Sequence, residues 1–315
     1  TMFPELGEIA NIKTELVANM MSEDMLFSDY QKIADAIKKH AGSVEGIIVG
    51  HGTDTLAVTA SALAFMFEEL PVPVVVVGSQ RSSDRGSSDA IQNLVCAAEF
   101  ITQSDFTGVG ICMHETSNDD SCVILPATKT RKMHTSRRDA FKAVNSSPLA
   151  RITYPSRKVE MLTQEYPKGT KCVLKKDMEE NVGLLKTYPN MSTDLFRFFT
   201  STYKGFVLEG TGLGHAPTNL RENVQNYELL KKYIAKGGIV AVTSQCLFGS
   251  VNPNVYANLR RLAEIGCVFC YDMLPETAYV KLAWLLANSP KKAAALMAEN
   301  LRGEISSQLS YKEII

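Results

Sequence analysis

At 315 residues, 45% of them hydrophobic and only 21% charged, the chain has apolar material for two packed cores, which excludes an intrinsically disordered protein. The apolar run over residues 72–77 is broken by Pro73 and is far shorter than the roughly 20 residues that a membrane-spanning helix needs. Thirty-three Lys and Arg against 34 Asp and Glu leave a net charge of −1, without the basic excess of a protein that grips a phosphate backbone alone, so a nucleic-acid role calls for a partner.

The chain opens Thr1-Met2-Phe3-Pro4, with neither an initiator methionine nor a leader, and the expectation is a piece of a longer polypeptide. Its seven cysteines, an odd number, point to a reducing, cytoplasmic setting and not to a disulfide framework. Residues 46–50 (Gly-Ile-Ile-Val-Gly) read as a buried strand. Leu56, Ala60, Leu63 and Phe67 then recur at helical spacing up to Glu68-Glu69, and Pro71 leads into a second strand at 74–77, which completes a βαβ unit. Ser87 and Ser88 are candidate N-caps for a helix carrying Ile91, Leu94, Val95 and Phe100, followed by a strand at 108–113. The first half is therefore read as a doubly wound, mainly parallel α/β domain over 1–155. Over 156–180, lysines and isolated hydrophobes alternate without period, as in a hairpin or linker. The rhythm returns over 181–315, with strands at 182–185, 205–208, 239–243 and 268–269 and helical stretches near 221–235, 253–265 and 275–287, a second and smaller α/β domain.

In open parallel sheets ligands sit beyond the carboxyl ends of the strands. After the first strand comes His51-Gly52-Thr53-Asp54-Thr55, which places a hydroxyl beside a carboxylate at a helix start. Plain N-capping by Thr53 or Asp54 accounts for this pentapeptide equally well. The strand at 74–77 ends in a polar stretch from Gly78-Ser79-Gln80-Arg81 to Asp89, and residues 130–141 form a basic run that includes Lys132. Such runs are usually solvated connections. A lysine beside a hydroxyl nonetheless has a use, because a weak nucleophile needs a group to take or relay its proton.

His51 to Thr55 with Ala60-Ser61-Ala62-Leu63, Gly78-Ser79-Gln80, Lys132 nine residues before Phe141, Gly210-Thr211-Gly212-Leu213-Gly214-His215-Ala216-Pro217 and Thr243-Ser244-Gln245-Cys246 fall in the order in which they resemble the bacterial-type L-asparaginase family. Within it, Gln80-Arg81-Ser82-Ser83-Asp84-Arg85, Met133-His134-Thr135-Ser136-Arg137 and Asp272-Met273-Leu274-Pro275-Glu276-Thr277-Ala278 resemble the branch of archaeal glutamyl-tRNA(Gln) amidotransferase D subunits. The resemblance implies an asparaginase-like fold and a glutaminase that works through a threonine acyl-enzyme. Thr53, Asp54 and Lys132 would be catalytic, and Ser22 and Glu23, with Thr53 and Asp54, would bind substrate. It also implies the amidotransferase E subunit as partner, Glu-tRNA(Gln) bound mainly through that partner, L-glutamine as substrate, and a homodimer within a heterotetramer. No cofactor is expected in this chain; ATP and Mg would belong to the partner.

The family begins with a strand ending in Thr-Gly-Gly-Thr-Ile, whose second threonine supplies a catalytic hydroxyl, and these residues do not contain that motif; Gly237-Gly238-Ile239 lies in the wrong half. Residues 1–30 resemble the segment that follows it, and the small N-terminal domain of the D subunits is not among these residues either, so truncation is the expectation. A free-standing asparaginase/glutaminase and a catalytically dead scaffold for the tRNA-binding partner are the rival readings. Cys267-Val268-Phe269-Cys270 reads as buried packing. The Gly210–Gly214 glycines read as a tight turn, and the scattered His51, His134 and His215 do not argue for a metal.

Overall fold

A computed structural model describes residues 4–81 and 85–308. The chain divides into two units, Thr1–Lys176 and Asp177–Ile315, and the division falls inside the span read as a hairpin or linker. The first unit contains α1 (Pro4–Ile9), α2 (Phe27–His40), β1 (Ile47–Gly50), α3 (Leu56–Met66), β2 (Phe67–Glu69), β3 (Pro73–Val77) and α4 (Ala90–Gln103). These are followed by β4 (Gly108–His114), β5 (Ser121–Pro126), β6 (Thr130–Lys132), β7 (Phe141–Ala143), β8 (Ala150–Thr153), β9 (Lys158–Met161) and β10 (Val173–Leu174).

Its main sheet has the order β1-β3-β4-β5-β8-β9. β1, β3 and β4 are parallel, in the two wound steps that the sequence spacing indicates. β5, β8 and β9 extend the sheet through antiparallel pairings, which need no covering helix in their connections, and the connection from β5 to β8 carries the β6–β7 hairpin. β3 is buried at every position, which is why it reads as an uninterrupted run of valines. α3 is apolar on all sides and correspondingly buried around its circumference, from Leu56 to Met66. It ends at Met66 and not at Glu69, because Phe67 and Glu69 are drawn into an antiparallel pair with β10. α4 starts later than the serines suggest, with Asp89 in the N-cap position. Between α4 and the sheet the core is built on Val75, Val77, Phe100, Phe106, Ile124 and Ile152.

The second unit contains β11 (Val182–Lys186), α5 (Thr193–Thr202), β12 (Gly205–Gly210), α6 (Val224–Ala235), β13 (Ile239–Ser244), α7 (Ala257–Glu264), β14 (Val268–Phe269), α8 (Pro275–Asn288) and α9 (Ala293–Met297). Its sheet is parallel throughout, in the order β11-β12-β13-β14. The glycine-rich stretch after β12 is a tight turn: Thr211 N–H donates to His215 O at 2.9 Å, and Gly214 has φ +104. A Cβ on Gly210 would lie 2.6 Å from the Gly214 carbonyl carbon, so the turn needs glycine there. Cys267 and Cys270 are buried, and burial pushes both thiols up to about 12, which makes them inert packing groups.

Candidate active site

The site grows from the carboxyl end of β1. His51 N–H donates to Val77 O at 2.9 Å, which prolongs the β1–β3 pairing one residue past the strand and fixes where the chain turns. α3 starts only at Leu56, with Thr55 in the cap position, so neither Thr53 nor Asp54 serves as its N-cap. Both side chains face Lys132 instead: its Nζ donates to Thr53 Oγ1 at 3.0 Å and to Asp54 Oδ1 at 2.7 Å. The Lys132 side chain is 15% exposed and that of Asp54 64%, so the ion pair stands at the mouth of the site and the hydroxyl lies deeper.

Lys132 is held by more than this pair. The basic run around it forms a hairpin in which Lys132 lies opposite Phe141 across β6 and β7. Met133 N–H continues the pairing to Ala140 O at 2.6 Å. The connecting turn closes on His134, whose Nδ1 accepts from Ser136 N and Arg137 N at 3.1 Å each. His134 therefore organises a turn. Thr130 Oγ1 donates to Pro126 O at 2.7 Å and ties the hairpin to the end of β5.

Ser22 is brought to the same place. It is buried in a single 3₁₀ turn, Ser22–Asp24, and its carbonyl accepts from Thr55 Oγ1 at 2.7 Å. A Cβ on Gly52 would lie 2.9 Å from Ser22 Cβ, so only glycine lets the two backbones approach this closely. Glu23, on the same turn, is exposed. Gly78 forms the opposite wall, where a Cβ would lie 2.8 Å from Thr53 Cγ2. Of the Gln80–Arg85 motif, residues 82–84 lie outside the described residues. Thr55, Thr59 and Asp89 contribute to the site without standing out in the sequence; a Thr at a helix start and an Asp before a helix look like ordinary caps, and only their bonds distinguish them.

His51 is a support. Its Nδ1 lies 2.6 Å from Gly52 O and its Nε2 2.9 Å from Thr59 Oγ1, which pins the ring beneath the Gly52–Thr53 turn. Burial holds His51 below the ordinary histidine range, and burial does the same to His114. A ring that stays neutral when folded but protonates when unfolded gives the unfolded state the greater proton uptake. Stability is therefore full above a pH of about 6.5 and falls as the pH drops below it. Melting temperatures recorded from about pH 7.5 down to about 5 should decline on acidification, and less steeply in His114→Asn; a flat profile would refute this. Among the described residues, no three His, Cys, Asp or Glu side chains converge to hold a metal.

Both units resemble known proteins. A family model described as "Asparaginase, N-terminal" matches residues 1–166, and one described as "Glutaminase/Asparaginase C-terminal domain" matches residues 181–297. The chain is 47% identical over 309 residues to the D subunit of the glutamyl-tRNA(Gln) amidotransferase of Pyrococcus furiosus, covering 96% of this chain and 69% of that protein. It is 42% identical over 311 residues to the corresponding D subunit of Archaeoglobus fulgidus, covering 98% and 72%. Among solved structures, the thermostable L-asparaginase from Thermococcus kodakarensis superposes with a TM-score of 0.87 at 28% identity, over 96% of this chain and 90% of that one. The L-asparaginase I of Vibrio cholerae gives 0.80 at 31% identity, over 91% and 84%. The chain belongs to the asparaginase family, in the branch formed by the D subunits of glutamyl-tRNA(Gln) amidotransferases.

Proposed function

We propose that this chain is the ammonia-generating subunit of a tRNA-dependent amidotransferase, a glutaminase whose product ammonia converts Glu-tRNA(Gln) to Gln-tRNA(Gln). The observation that carries the chemistry is the Lys132 ammonium in contact with both the Thr53 hydroxyl and the Asp54 carboxylate. A hydroxyl attacks the side-chain carboxamide of glutamine, the tetrahedral intermediate expels ammonia, and water releases glutamate from the resulting ester. Thr53 and Lys132 handle the protons: once Lys132 has given one up, the 3.0 Å contact reverses and the hydroxyl becomes the donor. Asp54 orients Lys132, and its exposed carboxylate is free to meet the substrate α-ammonium. Ser22 takes the α-carboxylate, and Glu23, exposed on the same turn, is a further substrate-binding residue. Backbone N–H groups stabilise the oxyanion.

The amidotransferase E subunit supplies ATP and Mg chemistry and the surface for tRNA, with two copies of each subunit in the assembly. A chain of net charge −1 has no general attraction for RNA, so delivery of tRNA by the partner fits its charge. No described helix is long and apolar enough to cross a membrane, in keeping with work in the cytoplasm. The likeness to the T. kodakarensis L-asparaginase favours one second reading, a free-standing amidohydrolase. The two separate on coupling. With the full-length protein, ammonia release from glutamine should be slow alone and rise when the E subunit and glutamyl-tRNA(Gln) are added, because closure around the correct substrates completes the site. Full asparagine turnover, unchanged by those additions and without a stable complex on gel filtration, would support the second reading instead.

A further inference from the structure

Asp89 occupies the N-cap position of α4, yet its side chain makes no capping bond. Ser88 Oγ takes the Ala90 N–H instead, at 3.2 Å. The Asp89 carboxylate, 1% exposed, accepts from Ser79 Oγ at 2.9 Å, Gln80 N at 3.0 Å, Arg81 N at 2.9 Å and Asn93 Nδ2 at 3.3 Å. An aspartate in this position ordinarily gives its oxygens to the free N–H groups of the helix. Here the donors it satisfies, Asn93 apart, belong to the loop that follows β3.

Asn93, one turn along the same helix, holds that loop too. Its Nδ2 donates to Gly78 O at 3.0 Å, and its Oδ1 lies 2.7 Å from His114 Nδ1, which fixes the way the amide faces. Residues 78–81 are thus anchored from beneath by two buried side chains. The first of these residues is the one whose backbone abuts the Thr53 side chain. Moving the loop moves the wall that keeps the Thr53 hydroxyl at Lys132.

We propose that Asp89 is a positioning residue for amide hydrolysis, holding the 78–81 loop against Thr53 so that the hydroxyl keeps its place beside Lys132. The proposal rests on the Thr53–Asp54–Lys132 reading above. It is tested in the full-length protein with Asp89→Ala and Asp89→Asn, reading kcat, KM and hydrogen exchange at individual amides. Asp89→Ala should lower kcat about 10- to 100-fold, the scale expected when a reacting group is misplaced. KM should stay within about threefold, since no group that binds substrate is removed. The Gln80 and Arg81 amides should exchange faster while α4 and β4 keep their protection. Asp89→Asn, which keeps one accepting oxygen, should fall between wild type and Asp89→Ala, and it carries the test should the alanine variant not fold.

Wild-type kcat in a variant whose Gln80 and Arg81 amides have come free would overturn the proposal. So would a loss of kcat that comes with lost protection throughout α4 and β4, because Asp89 would then serve the fold alone. Activity retained in Lys132→Met would remove the site reading and the proposal with it, an outcome told apart by being measured with Asp89 intact.

Discussion

Lys132→Met in the full-length protein should lower glutamine hydrolysis by about 10²-fold or more, the range typical of a positioned acid or base. Methionine matches the length of the lysine stem but carries no proton, so the Thr53 hydroxyl and the Asp54 carboxylate lose their shared partner at 3.0 and 2.7 Å. The fold should barely notice. Asp54 is 64% exposed, and breaking a pair so open to water changes stability by no more than about 1 kcal/mol. Ammonia release and thermal unfolding measured on the same preparation separate the two effects. Activity within a few-fold of wild type would take Lys132 out of the mechanism.

A stability effect of comparable size is expected within the second unit. Lys281 on α8 and Glu304 are both wholly buried and meet at 2.6 Å. Lys281 Nζ also donates to Met297 O at 3.3 Å and Glu299 O at 2.5 Å. Glu304 in turn accepts from Leu301 N at 3.0 Å and Arg302 N at 2.6 Å, so the ion pair clasps the segment after α9 onto α8. Burial draws the Lys281 pKa down, against the pull of Glu304. Removing one partner leaves an uncompensated buried charge, and Lys281→Met should cost about 3–5 kcal/mol in urea unfolding. Replacing both, as Lys281→Met with Glu304→Leu, should recover most of that loss, because two apolar groups need no desolvation penalty repaid. A double variant as unstable as the single one would show that the Glu304 bonds to Leu301 and Arg302, and not the charge pair, hold the segment.

The parallel strands were legible because they are written as apolar runs, most plainly in β3, β12 and β13, which are buried on both faces, as at Val74 to Val77. The antiparallel strands were not: Lys158–Met161 alternates between exposed and half-buried positions and carries two charged residues, so it resembles a linker until its partner is known. Phe67–Glu69 shows the same limit from the other side. Its spacing continues the helix before it, and only the distant Val173–Leu174 makes it a strand.

The sequence by itself determined the α/β class, the inert packing of the cysteines on either side of β14 and, through the order of its motifs, the family, and it singled out Thr53, Asp54 and Lys132 as candidates. These are properties written locally, in apolar period and in residue types at fixed spacings. What only the tertiary structure decided is which of two equally good local readings each polar residue takes. Thr53 and Asp54 could have capped a helix, and Lys132 could have lain in a solvated connection. A contact across 79 positions of chain resolves both, because a hydroxyl and a carboxylate are committed by the partner they meet and not by their neighbours in sequence. Asp89 is the converse case: it looks like a cap, sits where a cap sits, and holds a loop.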